Sequence, residues 1–174
     1  MALDFRTPAK ANCESVPPYM RQFLADPTTG RLSFTLDSTL DSVNRIEHEA
    51  EQFAERAGLS EDEVPNIAMA VREAMVNAVL HGNAYDTEKK VTATFESNQD
   101  DITIRIADQG SGLNPDTIPD PLAPENILRG SGRGIFLIRA FMDEVNFRQL
   151  HPGTELILIK HRHSGSKSDD ATVQ

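Results

Sequence analysis

The sequence of 174 residues has little of what several common protein classes require. Its single cysteine, Cys13, cannot form an internal disulfide, and with no histidine in its neighbourhood we interpret it as an incidental thiol. No apolar run approaches the ~18 residues of a membrane span, and the N-terminus lacks a signal-peptide pattern. Basic residues are outnumbered, and the formal net charge of -10 argues against direct binding to nucleic acid. We therefore expect a cytoplasmic protein.

The apolar pattern divides the chain into three parts. Residues 1–30 contain four prolines and little periodicity, so we expect a loosely ordered N-terminal arm. Residues 161–174 are small and polar, which predicts a flexible tail, and we interpret His161 and His163 there as solvated residues rather than metal ligands. Between them, residues 31–160 have the length and pattern of one compact domain.

Within residues 31–160 the spacing of apolar residues predicts five strands and three helices. Ser38 is expected to cap the first helix, which ends at Gly58, and Ser60 with Glu63 has the spacing of a capping box for the second. Strands grouped apart from helices indicate an α+β two-layer sandwich, with a mixed or antiparallel sheet and the helices on one face. The predicted order is strand 32–36, helix 40–57, helix 64–82, strands 91–95 and 102–106, a Pro-rich loop 115–129, helix 135–142, and strands around 147 and 156–159.

Three polar constellations interrupt this pattern, and the first lies on the second helix. Glu73, Asn77 and His81 in the string REAMVNAVLHGN are spaced by four, so they share one side of that helix. A solvated polar face would explain them, but the same side carries apolar residues and could line a cavity. A carboxylate there suits a general base, and an amide oxygen suits Mg²⁺.

The second constellation follows the strand that contains Ile102, Ile104 and Ile106. Strict alternation places Asp108 on the buried side, where a carboxylate needs a partner to offset its desolvation. Gly110 and Gly112 allow a sharp turn and close approach to a ligand. An Asp-x-Gly turn, in which the side chain bonds its own backbone, explains the segment equally well.

The third constellation is the run from Gly130 to Gly134, which leads into a helix. A glycine-rich loop before a helix N-terminus is a ready anion site, because its free amides and the helix dipole favour phosphate. No Gly-Lys-Ser/Thr follows, so it is not a Walker A loop, and no strand precedes it as in a dinucleotide fingerprint. Taken alone, it is an ordinary helix-entry loop.

In this order the three constellations resemble the GHKL superfamily of ATPases, which share the Bergerat nucleotide-binding fold. The segment Glu73 to Asn83 is similar to its N box, Asp108 to Gly112 to its first glycine box, and Gly130 to Gly134 to its second. Gly153-Thr154 matches a late Gly-Thr element. The strings EAMVNAVLHGN and SGRGIFLIRAFMDEV resemble most the anti-sigma-factor serine kinases of bacterial partner-switching systems, and the resemblance spans roughly residues 31–160.

The resemblance implies a role for each matched residue toward ATP and Mg²⁺. Asp108 would recognise the adenine amino group with Thr154 nearby, Asn77 would hold Mg²⁺, and Glu73 would be the catalytic base. His81 and Asn83 would line the pocket or serve only the structure, and residues 115–129 would form a lid over the nucleotide. The backbone around base, ribose and phosphates would come from Gly110, Gly112, Gly130, Gly132, Arg133 and Gly134, with charge added by Arg133.

The implied activity is that of a protein serine/threonine kinase and anti-sigma factor. It would phosphorylate a small antagonist protein of the STAS type, sequester a sigma factor, and form a homodimer. Two alternatives stay open: a nucleotide-gated binding module without phosphotransfer, and a histidine-kinase-type ATPase domain that acts with a separate acceptor chain. Glu73 and Asn77 argue against the first, and an arm without histidine before residue 31 argues against the second.

Overall fold

The computed structural model describes residues 30–111 and 133–162. These ranges contain the five strands and three helices that the apolar spacing predicts. A π-helical turn, Asn77–Gly82, extends the second helix. The elements in chain order are β1 (Gly30–Asp37), α1 (Leu40–Arg56), α2 (Glu63–Val76), β2 (Lys90–Ser97), β3 (Asp101–Ala107), α3 (Arg133–Phe141), β4 (Glu144–Gln149) and β5 (Thr154–His161).

The five strands form one sheet in the order β1-β2-β3-β5-β4, and every neighbouring pair is antiparallel. The sheet is therefore antiparallel rather than mixed, which decides between the two forms left open by the sequence. β5 inserts between β3 and β4, pairing Leu158 with Ile104 on one side and with Val145 on the other. This insertion brings the start of β5 beside the end of β3, where the segment after Ala107 begins.

The core lies between this sheet and the three helices. Phe95, Ile104 and Leu158 of the sheet are fully buried, and Phe53 of α1 packs on Phe95 with ring centroids 5.4 Å apart. From α2 and α3 come Val71, Met75 and Ile138, also fully buried. The opposite face of the sheet carries polar pairs such as Arg31–Glu96. The prediction of an α+β two-layer sandwich with helices on one face is confirmed.

The start of α1 differs from the prediction by one residue. Thr39, not Ser38, is the N-cap, and its side-chain oxygen accepts the Ser42 backbone N–H at 3.2 Å. Ser38 is buried instead, and its hydroxyl donates to the Lys89 carbonyl at 2.9 Å. Both residues carry a hydroxyl, so the sequence pattern does not show which of them caps the helix. In the structure, the Ser38 oxygen accepts a hydrogen bond from the distant Asn83 side chain, and Thr39 takes the capping position. At the other end, Gly58 has a φ of +80°, as expected for a helix-ending glycine.

The turn between α1 and α2 contains only half of the expected capping box, because the N-cap of α2 is Asp62, whose side chain makes no capping bond. The Glu63 carboxylate accepts from the Ser60 backbone N–H at 3.1 Å and from the Ser60 hydroxyl at 2.7 Å. The Ser60 carbonyl in turn accepts the Glu63 backbone N–H at 3.0 Å. These bonds satisfy groups at the helix entrance that would otherwise lack partners.

Several predictions fall on residues outside the described ranges, namely the arm up to residue 29, the loop 115–129 and the tail from residue 163. His161, which we expected in the tail, is the last residue of β5, and its ring bonds Asp101 at 2.7 Å. Among the helices of the described ranges, none has the length and apolar content that crossing a membrane would require.

Candidate functional site

Glu73 and Asn77 lie one turn apart near the end of α2, directly opposite the first turn of α3. A Cβ placed on Gly134 would lie 2.8 Å from Glu73 Oε2 and 3.7 Å from Asn77 Nδ2. A side chain at position 134 would therefore displace the Glu73 carboxylate, whereas glycine leaves it in place. The carboxylate and the amide therefore face a helix N-terminus, where free backbone amides favour a negatively charged ligand.

Asn77 is half-buried, and the nitrogen of its side-chain amide is fully buried. Its Nδ2 has no hydrogen-bond partner among the described residues. A buried polar group without a partner costs about 1–3 kcal/mol, so such a group indicates a place for a ligand. The two ends of an amide are assigned from their surroundings, so the oxygen is equally able to face the unfilled side.

An amide oxygen beside a carboxylate suits Mg²⁺, which takes few protein ligands and completes its shell with water and phosphate. In residues 30–111 and 133–162, histidine, cysteine and carboxylate side chains nowhere form a group of three or more able to hold a metal ion. A metal at this place would therefore rely on Asn77 and on the oxygens of a bound phosphate. The residues present fit that kind of ion.

The helix that carries Asn77 changes form at this residue. From Asn77 to Gly82 it widens into a π-helical turn, and the Asn83 N–H bonds the Ala78 carbonyl at 2.8 Å, five residues back. Such turns are rare and concentrate at functional sites. The sequence predicted a continuous helix, because spacing alone does not reveal a change of winding. His81 lies within this turn but is exposed, so the structure does not bring it into the pocket.

Asp108 follows β3 and is only 9 % exposed, which confirms its predicted burial. Its Oδ1 accepts the backbone N–H of Gly110 at 2.8 Å and that of Thr154 at 3.2 Å. Burial raises the pKa of Asp108, against the two hydrogen bonds and the nearby charge of Lys89, which lower it. The predicted Asp-x-Gly turn is thus present, and it uses one carboxylate oxygen. Within the described part of the chain, Oδ2 accepts no hydrogen bond and is left for a ligand.

Three glycines around Asp108 are packed so closely that no side chain would fit on any of them. A Cβ on Gly82 would lie 2.5 Å from Asp108 Cγ, and one on Gly110 would lie 2.0 Å from the Gly82 carbonyl oxygen. Gly153 has a φ of +103°, and a Cβ there would lie 1.9 Å from the Asp108 carbonyl oxygen. The sequence predicted a close approach of Gly110 to a ligand, but the backbone that Gly110 approaches is that of Gly82, at the end of the π-helical turn. The part played by Gly82 was missed, although a glycine at a helix end was its sequence signal.

A narrow pocket with a cavity volume of about 30 Å³ joins Asn77 to Asp108. Its remaining walls are mainly apolar, which suits a flat aromatic base whose amino group meets the carboxylate. Thr154 is buried in its wall. Sequence reasoning did not assign the apolar lining to the site, because these residues follow the same periodicity as the core. They are Ala74, Ala78, Ile106, Ile135, Phe147 and Leu156.

The structure therefore brings together most of the predicted residues that it describes. Asn77, Asp108 and Thr154 line one pocket, and Glu73 lies at its α3 end beside Gly134. For Arg133, only the backbone is described, as the first residue of α3. The predictions for Gly112, Gly130 and Gly132 lie outside the described residues.

Comparison with known proteins points to the same kind of domain. Residues 36–160 match the family of histidine kinase-like ATPase domains. The serine-protein kinase RsbW of Staphylococcus epidermidis is 33% identical over 141 residues, which is 77% of this chain and 88% of that protein. The serine-protein kinase RsbW of Bacillus subtilis is 29% identical over 127 residues, covering 70% and 79% of the two chains.

A solved structure shares the fold. The crystal structure of the RsbU and RsbW domains of Rv1364c from Mycobacterium tuberculosis aligns with a TM-score of 0.55 and 19% identity. The match covers 77% of this chain and 33% of that one, so the chain spans about a third of that structure. At this identity the likeness supports the fold alone, and it agrees with the sandwich described above.

Proposed function

Because this chain belongs to the family of histidine kinase-like ATPase domains and is, like its RsbW relatives, a protein serine/threonine kinase, we propose that it uses Mg-ATP to phosphorylate a small antagonist protein. The observation that carries the proposal is one pocket with a buried carboxylate at one end and an unsatisfied amide and a glutamate at the other. Asp108 Oδ2 would accept the adenine amino group. Asn77 and Glu73 would face the phosphates at the N-terminus of α3.

The N-terminus of α3 would form the phosphate end of the pocket. The helix begins at Arg133, and Gly134 keeps its backbone against Glu73 and Asn77. Backbone amides and the positive end of the helix dipole would stabilise the phosphate oxygens. We propose that Gly112, Gly130, Gly132 and Arg133 complete this cradle. Mg²⁺ held by the Asn77 oxygen would neutralise phosphate charge when bound.

We propose Glu73 as the general base for the transfer, because its carboxylate lies against Gly134 at the start of α3. In the proposed reaction the acceptor serine gives its hydroxyl proton to the Glu73 carboxylate. The serine oxygen then forms a bond to the γ-phosphorus of ATP, while the bond from that phosphorus to the oxygen that bridges it to ADP breaks. The products are phosphoserine and ADP. The amides at the start of α3 would stabilise the charge that develops on the transferred group.

The partners are proposed on the strength of the family. We propose that the acceptor is a STAS-type antagonist, that the unphosphorylated antagonist competes with a sigma factor for this chain, and that the kinase acts as a homodimer in the cytoplasm. Such a switch depends on different affinities of two partners for one nucleotide state.

The test is phosphate transfer from ATP labelled at the γ-phosphate, with purified protein, Mg²⁺ and a lysate of the source organism. Glu73→Gln keeps the size of the side chain and removes the base, so transfer should fall by about 10²–10⁴-fold while ADP binding persists. Glu55→Gln is the matched control, because Glu55 is an exposed glutamate on α1, away from the pocket. It should transfer phosphate at the wild-type rate.

The labelled residue distinguishes the candidate functions. Label on a serine or threonine of a small protein, lost in Glu73→Gln and kept in Glu55→Gln, would support the proposal. Label on histidine would indicate a histidine kinase that acts on a separate acceptor. Binding of ADP without any transfer would indicate a nucleotide-gated binding module and contradict the proposed reaction.

A further inference from the structure

Asn83 is a fully buried polar residue that does not line the pocket. Its Nδ2 donates to Ser38 Oγ at 2.7 Å and to the Lys90 carbonyl at 3.0 Å. Its Oδ1 accepts the backbone N–H of Gln109 at 2.8 Å. One amide therefore joins three separate parts of the chain: the entry to α1, the start of β2 and the segment after β3.

The contact to Gln109 belongs to a closed set of bonds. The Gln109 side-chain oxygen accepts the Lys90 backbone N–H at 2.6 Å, while the Lys90 carbonyl accepts from Asn83. Gln109 is thus held by its backbone N–H and by its side chain at once. Since both ends of the buried Asn83 amide are partnered, this set of bonds is expensive to leave half-formed.

Gln109 stands between the two residues that shape the base end of the pocket. Asp108 precedes it, and Gly110 follows it and donates to the Asp108 carboxylate. On the other side of the contact, Asn83 directly follows Gly82, against which the same carboxylate packs. Asn83 therefore links the segment that carries Asp108 to the end of the π-helical turn, from behind the pocket wall.

The backbone after Asn83 is held in an unusual conformation. Ala84 and Tyr85 have φ values of +54° and +58°, a region that costs a residue with a side chain about 1–2 kcal/mol. Two bonds hold it: the Tyr85 N–H to the Val79 carbonyl at 2.9 Å, and the Asp86 N–H to the Asn83 carbonyl at 3.0 Å. Strain of this kind persists where the surroundings over-determine it, often next to a functional site.

We propose that Asn83 is a positioning residue for base recognition: it anchors the Gln109 amide and thereby aims the Asp108 carboxylate at the amino group of adenine. This inference rests on the proposed function, because it requires that Asp108 binds the base. It differs from a purely structural role in one measurable respect. Loss of Asn83 should lower the preference for adenine over other nucleobases, in addition to lowering the stability of the fold.

The measurement is the ratio of dissociation constants for inosine diphosphate and ADP, by calorimetry, together with thermal melting. Hypoxanthine carries an oxygen where adenine carries the amino group, so wild type should prefer ADP. Asn83→Ala should reduce that preference by about tenfold, since a misplaced carboxylate loses the bond to the amino group. Ser38→Ala is the matched control. It removes one partner of the same amide but leaves the Gln109 contact, so it should lower the melting temperature and keep the preference.

If Asn83→Ala does not fold, Asn83→Ser gives the same readout, because its hydroxyl is shorter by one bond and does not reach the Gln109 amide. A wild-type preference in either folded Asn83 variant would overturn the inference while leaving the proposed function intact. An equal loss of preference in Ser38→Ala would also overturn it. Failure of wild type to bind ADP at all would refute the proposed function, and the inference with it.

Discussion

The two ends of β5 each approach an aspartate, and the two carboxylates meet different surroundings. At the start of the strand, Asp108 accepts two backbone N–H groups, from Gly110 and from Thr154 of β5 itself. It is buried, and burial raises its pKa. The hydrogen bonds hold one oxygen in place, but no formal positive charge contacts either oxygen in the described residues.

At the end of the strand, Asp143 accepts the backbone N–H of His161 at 2.7 Å and the Lys160 ammonium group at 3.2 Å. Burial alone would raise the pKa of Asp143, but the His161 N–H and the Lys160 cation outweigh it, and the pKa is lowered. The neighbouring His161 ring bonds Asp101, and this bond raises the pKa of His161.

The two carboxylates differ in whether the protein itself satisfies their charge. Asp143 is exposed and paired with a cation, so its charge is satisfied within the protein. Asp108 is buried with one oxygen unused, so its charge costs free energy until a donor arrives. The same residue type, at two ends of one strand, therefore contributes to stability with opposite sign.

The largest effect is expected from crowding the Asp108 end. Gly153→Ala would place a Cβ 1.9 Å from the Asp108 carbonyl oxygen at a φ of +103°, so we expect a loss of more than about 3 kcal/mol in the free energy of unfolding. Gly58→Ala is the control, because its φ is also positive but its nearest atom is a flexible Arg162 nitrogen 3.7 Å away. Gly58→Ala should lower the free energy of unfolding by about 1 kcal/mol. Equal losses in urea denaturation would show that the contact with Asp108 does not matter.

Asp108→Asn should weaken ADP binding by about 10- to 100-fold, since a hydrogen bond to a charged group contributes about 1.5–3 kcal/mol. Asp143→Asn, the matching change at the other end of β5, should leave the ADP dissociation constant unchanged. The measurement is calorimetric titration of both variants. A similar loss of ADP affinity in both variants would contradict a binding role specific to Asp108.

The same Asp108→Asn variant should be more stable than wild type at neutral pH. A carboxyl whose folded pKa is raised contributes stability below its ordinary value of 3.8, and this contribution is lost as pH rises through the folded pKa. The neutral amide of the variant avoids that loss. We therefore expect its free energy of unfolding to exceed that of wild type by about 1 kcal/mol at pH 7, and the difference to shrink toward zero near pH 4. Thermal melting from pH 4 to 8 measures it, and a gain that does not depend on pH would contradict the assigned cause.

Asp143→Asn should show the smallest effect, with the opposite sign. A carboxyl whose folded pKa is lowered contributes stability above 3.8, and this is lost as pH falls through the folded pKa. The variant should therefore be less stable at pH 7, by at most about 1 kcal/mol because the pair is exposed to solvent, and equal to wild type in strong acid. Thermal melting extended down to pH 2 measures it. A stabilised variant at pH 7 would contradict the comparison.

Much of the fold was predictable because its elements depend on local spacing. Apolar residues at helical and alternating spacing predicted each helix and strand that residues 30–111 and 133–162 contain, and alternation along β3 was enough to predict that Asp108 is buried. The exposure of His81 was not predictable, because the four-residue spacing assumed a regular helix. The π-helical turn that contains it packs against a distant part of the chain, with Gly82 against Asp108, which local spacing does not show.

The sequence by itself determined which residues could carry chemistry, since a carboxylate, an amide and glycines are properties of single positions. The tertiary structure decided how they are arranged. It placed β5 between β3 and β4, which brings Thr154 and Gly153 to Asp108, and it directed the Ser38 hydroxyl to Asn83 and Lys89 rather than to the helix. The physical reason is that such contacts join residues dozens of positions apart, and their free energy depends on burial and pairing that local sequence does not encode.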